Sequence, residues 1–190
     1  MKNKDTKEIV RTALLLFLIC AVAAGILAGV NLITAPRIAE AAAQAAQSSK
    51  ASVLPVAASF EDVTLSDGSV GYRGLNENGD CVGYVFSTSA SSYGGKLQLM
   101  TGFDTNGVVT GISLLGISDT PGLGMNAKKA VFQSQFMGTD GELTVIKSGT
   151  AGKNQIQAIT SATITSTAVS SCVNTARQYF NELNAAKEGN

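Results

Sequence analysis

An α+β domain carried behind a single N-terminal transmembrane helix is the fold class the sequence predicts, with a mainly antiparallel sheet and flanking helices. Three observations lead there. Residues 12–33, TALLLFLICAVAAGILAGVNLI, run for twenty-two positions without a charge. From about residue 70 to residue 115, short strand-like runs are separated by Gly- and Asn-rich turns. Towards the C-terminus, Ala168, Val169, Cys172, Val173, Ala176, Phe180 and Leu183 recur at spacings of three and four, the period of an amphipathic helix.

The first element is the anchor, placed at 12–34. At about 1.5 Å per residue the uncharged run spans roughly 33 Å, the thickness of a bilayer core. The apolar part of a cleaved signal peptide is normally only about 7–15 residues, so an uncleaved anchor is the favoured reading. Lys2, Lys4, Lys7 and Arg11 outweigh Asp5 and Glu8 on its N-terminal side. That bias predicts a cytoplasmic segment 1–11 and an extracytoplasmic remainder, in the inner membrane of a bacterial cell. Pro36 follows the anchor, and the Ala- and Gln-rich stretch 37–52 follows Pro36. Alanine favours helix and asks for little packing, so a stalk helix is expected over 37–47, then a Ser-rich joint. A disordered tether is the competing reading. The whole of 35–58 is taken as stalk and linker, with the folded domain at 59–190.

Strands are expected from about Val70, then at 81–87 and 96–103, with a return at 108–115. Asp104-Thr105-Asn106-Gly107 joins the last two, and Asn-Gly supplies the positive φ of a tight hairpin. Asn126 is expected to cap a short helix over 127–137, with Val131, Phe132 and Phe136 on its apolar face and Gly138 stopping it. Two further strands, 142–147 and 154–159, precede the long amphipathic helix. Arg177 and Lys187 lie towards its C-terminal end, favourably for the helix dipole.

Composition excludes several classes. Lysine plus arginine equal aspartate plus glutamate at 14 each, so the chain lacks the basic excess that nucleic-acid binding needs. There is no histidine and no CxxC, which removes the common zinc, haem and iron–sulfur patterns. Cys20 reads as a small packing residue in the apolar run. Cys81 and Cys172 read either as a disulfide or as two buried thiols.

Two stretches remain that carry chemistry. ITSATITSTAVSS, residues 159–171, joins the last strand to the long helix, and eight of its thirteen residues bear a hydroxyl. Helix starts offer unpaired N–H groups and partial positive charge, so they accept phosphate. The plainer reading is a wet loop with Thr165 or Ser166 as N-cap. SDTPGLGMN, residues 118–126, is neither helix nor central strand, because Pro121 lacks a donor and Gly122 and Gly124 admit turns closed to other residues. Leu123 between them is displayed, as a wall for a flat aromatic ligand or simply as part of a surface turn. SSYGGKL, residues 91–97, places Tyr93 before Gly94 and Gly95 in a similar way.

Taken together, these motifs resemble the G subunit of the Rnf electron-transport complex, an ion-translocating ferredoxin:NAD oxidoreductase. The chain is similar, more distantly, to the C subunit of the sodium-pumping NADH:quinone reductase. The resemblance rests on Tyr93-Gly94-Gly95, on Asp119-Thr120-Pro121-Gly122-Leu123-Gly124, and on Thr160-Ser161-Ala162-Thr163, and it extends from anchor to final helix. It implies an FMN-binding domain at 59–190, with FMN held by a phosphoester to Thr163 and placed there from FAD by a separate Mg-dependent flavin transferase. It implies flavin contacts from Asp119, Thr120, Leu123 and Tyr93, and a close approach of the phosphate past Ala162. Thr160, Ser161, Gly94, Gly122 and Gly124 complete the expected cofactor-binding set. Two positions depart from the family pattern: Ser161 stands for the usual glycine, and Gln157 for an acidic residue. The implied role is an electron carrier working with the other membrane subunits of the Rnf complex, without a catalytic or metal site of its own. A flavin subunit of a sodium-pumping quinone reductase and an anchored adhesin- or pilin-like module are the alternatives.

Overall fold

A computed structural model describes residues 2–188 of the chain and the side chains of residues 7–185. The acidic and basic residues at positions 2–5 and Lys187 therefore lie outside the described side chains. The chain divides into two compact units, residues 1–44 and 45–190.

The first element, α1, is one continuous helix, Lys2–Val53, with Pro36 inside it. Proline has no N–H to offer the preceding turn, yet the helix does not stop there. It also runs through Ser48 and Ser49, where a joint was expected. The reason lies at its end. Val53 and Leu54 are fully buried, and Thr110 donates its hydroxyl hydrogen to the Val53 carbonyl at 2.5 Å. Ser49 is drawn into the same packing, with the Ser113 hydroxyl 3.1 Å from its own, while Ser48 stays exposed and donates to Ala45 O. Lys50 lies 3.3 Å from the centre of the Tyr72 ring. The stretch expected as linker is therefore divided between the two units, and its second part packs as core.

Five strands, β1 (Ser59–Thr64), β2 (Val70–Leu75), β3 (Cys81–Ser92), β4 (Gly95–Asp104) and β5 (Val109–Gly116), form an antiparallel meander in chain order. β1 precedes the first strand expected from the sequence. Its SFEDVT run has only Phe60 and Val63 to bury, and both are partly covered. The Asp104–Gly107 turn forms as expected, closed by the Gly107 N–H to Asp104 O, but only Gly107 takes positive φ, at 81°.

Alternation along β3 and β4 divides the core between two faces. Tyr84, Phe86, Leu97, Leu99 and Phe103 face the long helix α3 (Thr163–Glu188), where Val169, Cys172, Val173, Ala176 and Phe180 meet them. Val85 and Met100 face the other way, onto Val53 and Leu54. On that second face the sheet is floored with glycine. A Cβ at Gly74 would lie 2.5 Å from a Leu54 methyl, and one at Gly102 would strike the Val53 carbonyl. Gly74 pairs with Gly83, and Gly102 with Gly111, so the seat crosses four strands.

The segment after β5 is shorter and more irregular than the expected helix. It comprises a 3-10 turn at Gly124–Lys128, α2 (Ala130–Gln133) and a second 3-10 turn at Ser134–Phe136. Phe132 and Phe136 are buried, but Val131 is 84% exposed and Asn126 does not cap the segment. Gly138, with φ 79°, ends it as expected. Strands β6 (Thr144–Ile146) and β7 (Gln155–Gln157) pair in parallel, apart from the main sheet. Arg177 does not serve the end of α3. It is buried in mid-helix and donates to the carbonyls of Gly107 and Thr139. All three cysteines are free, with Cys172 buried and Cys81 half-buried.

Candidate functional site

The three sequence motifs converge on one cavity of about 550 Å³. Its lining comprises Tyr93, Asp119, Thr120, Leu123, Gly124, Ser161, Ala162, Thr163, Ile164 and Thr165. That volume lies within the usual range for small-molecule sites, roughly 300–1,000 Å³. Each wall follows from local chemistry.

The first wall is the Thr120–Gly124 loop. Leu123 N–H donates to Thr120 O at 3.2 Å, with Pro121 and Gly122 as the central residues and Gly122 at φ 76°. This is the residue pattern of a type II turn, which needs positive φ at its third position. Asn126 reinforces the loop by donating its side-chain amide to Gly122 O at 2.6 Å. Leu123 is left 41% exposed and facing the cavity.

The second wall is the hydroxyl-rich turn. Ala162 N–H bonds Ile159 O at 2.9 Å, and Ser161 lies between them at φ 61°. Glycine adopts this left-handed conformation freely; serine holds it at a cost of roughly 1 kcal/mol or more. α3 begins at Thr163. Ala162, just before it, has no side-chain oxygen, and among the described residues no side chain caps the N–H groups of Thr163, Ile164 or Thr165. Thr165 and Ser166 are buried in the first turn rather than acting as caps. Ser166 accepts from the Ile159 N–H and donates to Ala162 O, both at 3.0 Å.

Asp119 joins the walls. It is 4% exposed, and its carboxylate accepts from the hydroxyls of Ser92 and Thr165 and from the Gly94 N–H, at 2.5, 2.5 and 2.6 Å. Burial alone pushes its carboxyl upward, but the three donors together outweigh burial and hold it below the usual carboxylate range. Close approach here depends on two glycines. A Cβ at Gly124 would lie 2.6 Å from both Asp119 Cβ and Thr165 Oγ1, and one at Gly94 would strike the Ser118 carbonyl. Tyr93, next to Gly94, is 72% exposed at the rim.

Of the expected residues, Thr160, Gly122 and Gly94 do not line the cavity, although each adjoins a residue that does. Ile164 and Ser92 were not expected, and Thr165 was expected at the helix start as a cap and phosphate rim rather than as a partner of Asp119. Ile164 simply continues the signature by one residue. The ties of Thr165 and Ser92 to Asp119 cross 46 and 27 residues of chain. Gln157 lies in β7, where its backbone, not its side chain, exchanges hydrogen bonds with Gln135.

The fold defines a class, an α+β domain with a small-molecule cavity that follows a helix long and apolar enough to cross a membrane. Residues 92–178 match the FMN-binding domain family, and residues 1–53 match the RnfG N-terminal region. The chain is 40% identical to the G subunit of the Na(+)-translocating ferredoxin:NAD(+) oxidoreductase complex of Acetobacterium woodii, over 94% of this chain and 95% of that one. It is 31% identical to the G subunit of the Proton-translocating ferredoxin:NAD(+) oxidoreductase complex of Clostridium ljungdahlii, over 98% and 99%. The crystal structure of NqrC from Shewanella oneidensis shares the fold, with TM-score 0.53 and 15% identity over 62% of this chain and 61% of that one. The chain belongs to the RnfG family, the G subunits of the Rnf ion-translocating oxidoreductase complexes.

Proposed function

We propose that the chain is the membrane-anchored electron carrier of an Rnf complex, holding FMN through a phosphoester on Thr163. The observation that carries this reading is the placing of Thr163 at the first turn of α3, on the cavity wall facing the Asp119–Gly124 loop. The uncapped amides of that turn and the helix dipole suit a phosphate. Ala162 is small enough to let it approach. Tyr93, Leu123 and Ile164 offer apolar surface for a flat ring system, and Thr120 offers a hydroxyl beside them. Asp119 holds the Tyr93–Gly94 segment and the start of α3 in register. FMN, when bound, supplies one-electron chemistry, and the protein supplies position and electrostatics.

Attachment uses FAD and a flavin transferase. The Thr163 hydroxyl would be the group esterified, with the uncapped amides of the first turn of α3 holding the phosphate and AMP as the other product. The α1 segment 12–34 acts as anchor, with 1–11 cytoplasmic and the 45–190 unit on the other side of the membrane. Ion translocation belongs to partner subunits, because an uncharged span offers no ion path.

Coexpression with a flavin transferase, followed by a denaturing gel under ultraviolet light, tests the reading. The expected result is a fluorescent band that Thr163→Val abolishes. A band that survives Thr163→Val would overturn the attachment site, and absence of any band in the unaltered chain would overturn the carrier.

A further inference from the structure

The segments that build the cavity carry one sign of exposed charge. Lys96 lies two residues beyond Gly94, Lys128 ends the 3-10 turn that begins at Gly124, and Lys129 follows it; all three are exposed. Two extended residues reach at most about 7 Å, and a 3-10 helix climbs roughly 2 Å per residue. Each lysine is thus within roughly 10 Å of the site's own backbone. Exposed Lys147 joins them, since its neighbour Ile146 accepts the Ala158 N–H at 2.8 Å, at the foot of the turn leading to Thr163. Across the segments that build the site, 90–99, 118–129 and 157–167, the one acidic residue is Asp119. It is buried, with both carboxylate oxygens engaged.

Carboxylates collect instead along the second half of α3. Leu143, beside Glu142, donates to Asn174. Thr139, beside Asp140, accepts from Arg177, and Asp140 itself is paired with Lys153 at 2.6 Å. Tyr179 donates to Asp67, and Glu182 accepts from Ser66. At about 1.5 Å per residue these contacts lie roughly 16 to 28 Å along the helix from Thr163. The positive end of the α3 dipole adds to the lysines at the cavity. Within that basic rim the exposed apolar surface is Tyr93, Leu123 and Ile164, the last 57% exposed.

We propose that the cavity mouth is the docking face for an acidic electron-transfer partner. That partner is a protein surface of the complex whose aspartates and glutamates meet Lys96, Lys128 and Lys129 around an apolar centre. The inference rests on the carrier reading, which requires a second redox centre to come close to the cavity; lipid headgroups provide none. Opposite charge raises the rate of encounter and fixes register.

The assembled complex, treated with a water-soluble carbodiimide, tests the contact directly, because the reagent joins a lysine amine to a touching carboxylate with loss of water. Peptide mapping is expected to find Lys96, Lys128 or Lys129 joined to an aspartate or glutamate of another subunit. Links made only through carboxylates of this chain to partner lysines would overturn the proposal, as would links that avoid all three residues. The combined variant Lys96→Glu, Lys128→Glu, Lys129→Glu is expected to lower electron throughput of the complex by about tenfold at low salt. Its flavin band should be unchanged, and the gap should close as salt rises. Equal throughput at every salt concentration overturns the docking face while leaving the carrier intact. Loss of the flavin band in this variant alone assigns the lysines to flavin loading and also overturns it. A defect seen only in nanodiscs containing phosphatidylglycerol, and not in phosphatidylcholine alone, assigns them to lipid. Absence of a flavin band in the unaltered chain strikes the carrier reading instead.

Discussion

The seat of α1 and the wall of the cavity solve one problem with opposite chemistry. In both, distant segments come closer than ordinary side chains permit, and glycine makes the room: Gly74 and Gly102 under Leu54 and Val53, Gly94 and Gly124 around Asp119. The seat is then filled with hydrocarbon, Val53, Leu54, Val85 and Met100. The cavity wall is instead tied by one buried carboxylate that serves three donors. Apolar packing is non-directional and fails in proportion to the volume removed. A buried polar joint fails all at once, because each donor left without its acceptor keeps its full desolvation penalty.

That contrast can be broken from either side, and the polar side should break hardest. Asp119→Ala strands the Ser92 and Thr165 hydroxyls and the Gly94 N–H, and should cost about 4 kcal/mol. In denaturant unfolding of the full chain in detergent it should lower the midpoint without changing the slope. Leu54→Ala should cost about 3 kcal/mol through its cavity, and it should leave the flavin band intact because the seat is on the other face of the sheet. A smaller effect is expected from acid. The Asp119 carboxyl is held below its unfolded value, so its stabilisation is complete above about pH 4 and disappears as pH falls through the lower folded value. Asp119→Asn should flatten that part of the stability–pH curve; an unchanged curve would remove Asp119 as its source. The smallest change is a gain. Ser161→Gly relieves the φ of 61° and should stabilise the chain by about 1 kcal/mol, read as a higher unfolding midpoint.

Much of the site was legible because its motifs are local. Thr120-Pro121-Gly122-Leu123-Gly124 dictates its own turn, and the 159–163 run announces a helix start. The roles within those motifs were less legible. Asp119 reads as a residue that reaches a ligand; it lines the cavity, and its oxygens also accept from Ser92, Gly94 and Thr165, partners that nothing local announces. Thr165 and Ser166 read as caps because hydroxyls usually cap, but tertiary partners 46 and 7 residues away draw them inward. The fold shows the same division. Strong periodicity placed α3, and turn residues between loosely alternating runs placed the β3–β5 meander, whereas β1 carries too little apolar alternation to declare itself. Val131 passed for a core residue because a regular helix over 127–137 would have turned it inward; the 3-10 segments rotate it out.

The sequence by itself determined the apolar span, the long amphipathic helix, the turn chemistry of the two motifs and, through them, the family. Those features depend on residues close together in the chain, where period and turn type act directly. Only the tertiary structure decided that α1 ends as core, that Asp119 ties three segments together, and that three motifs far apart in the chain line one cavity. Each of those depends on which segments meet across the sheet. That choice is made by the sum of packing and charge over the whole domain and is carried by no short stretch of it.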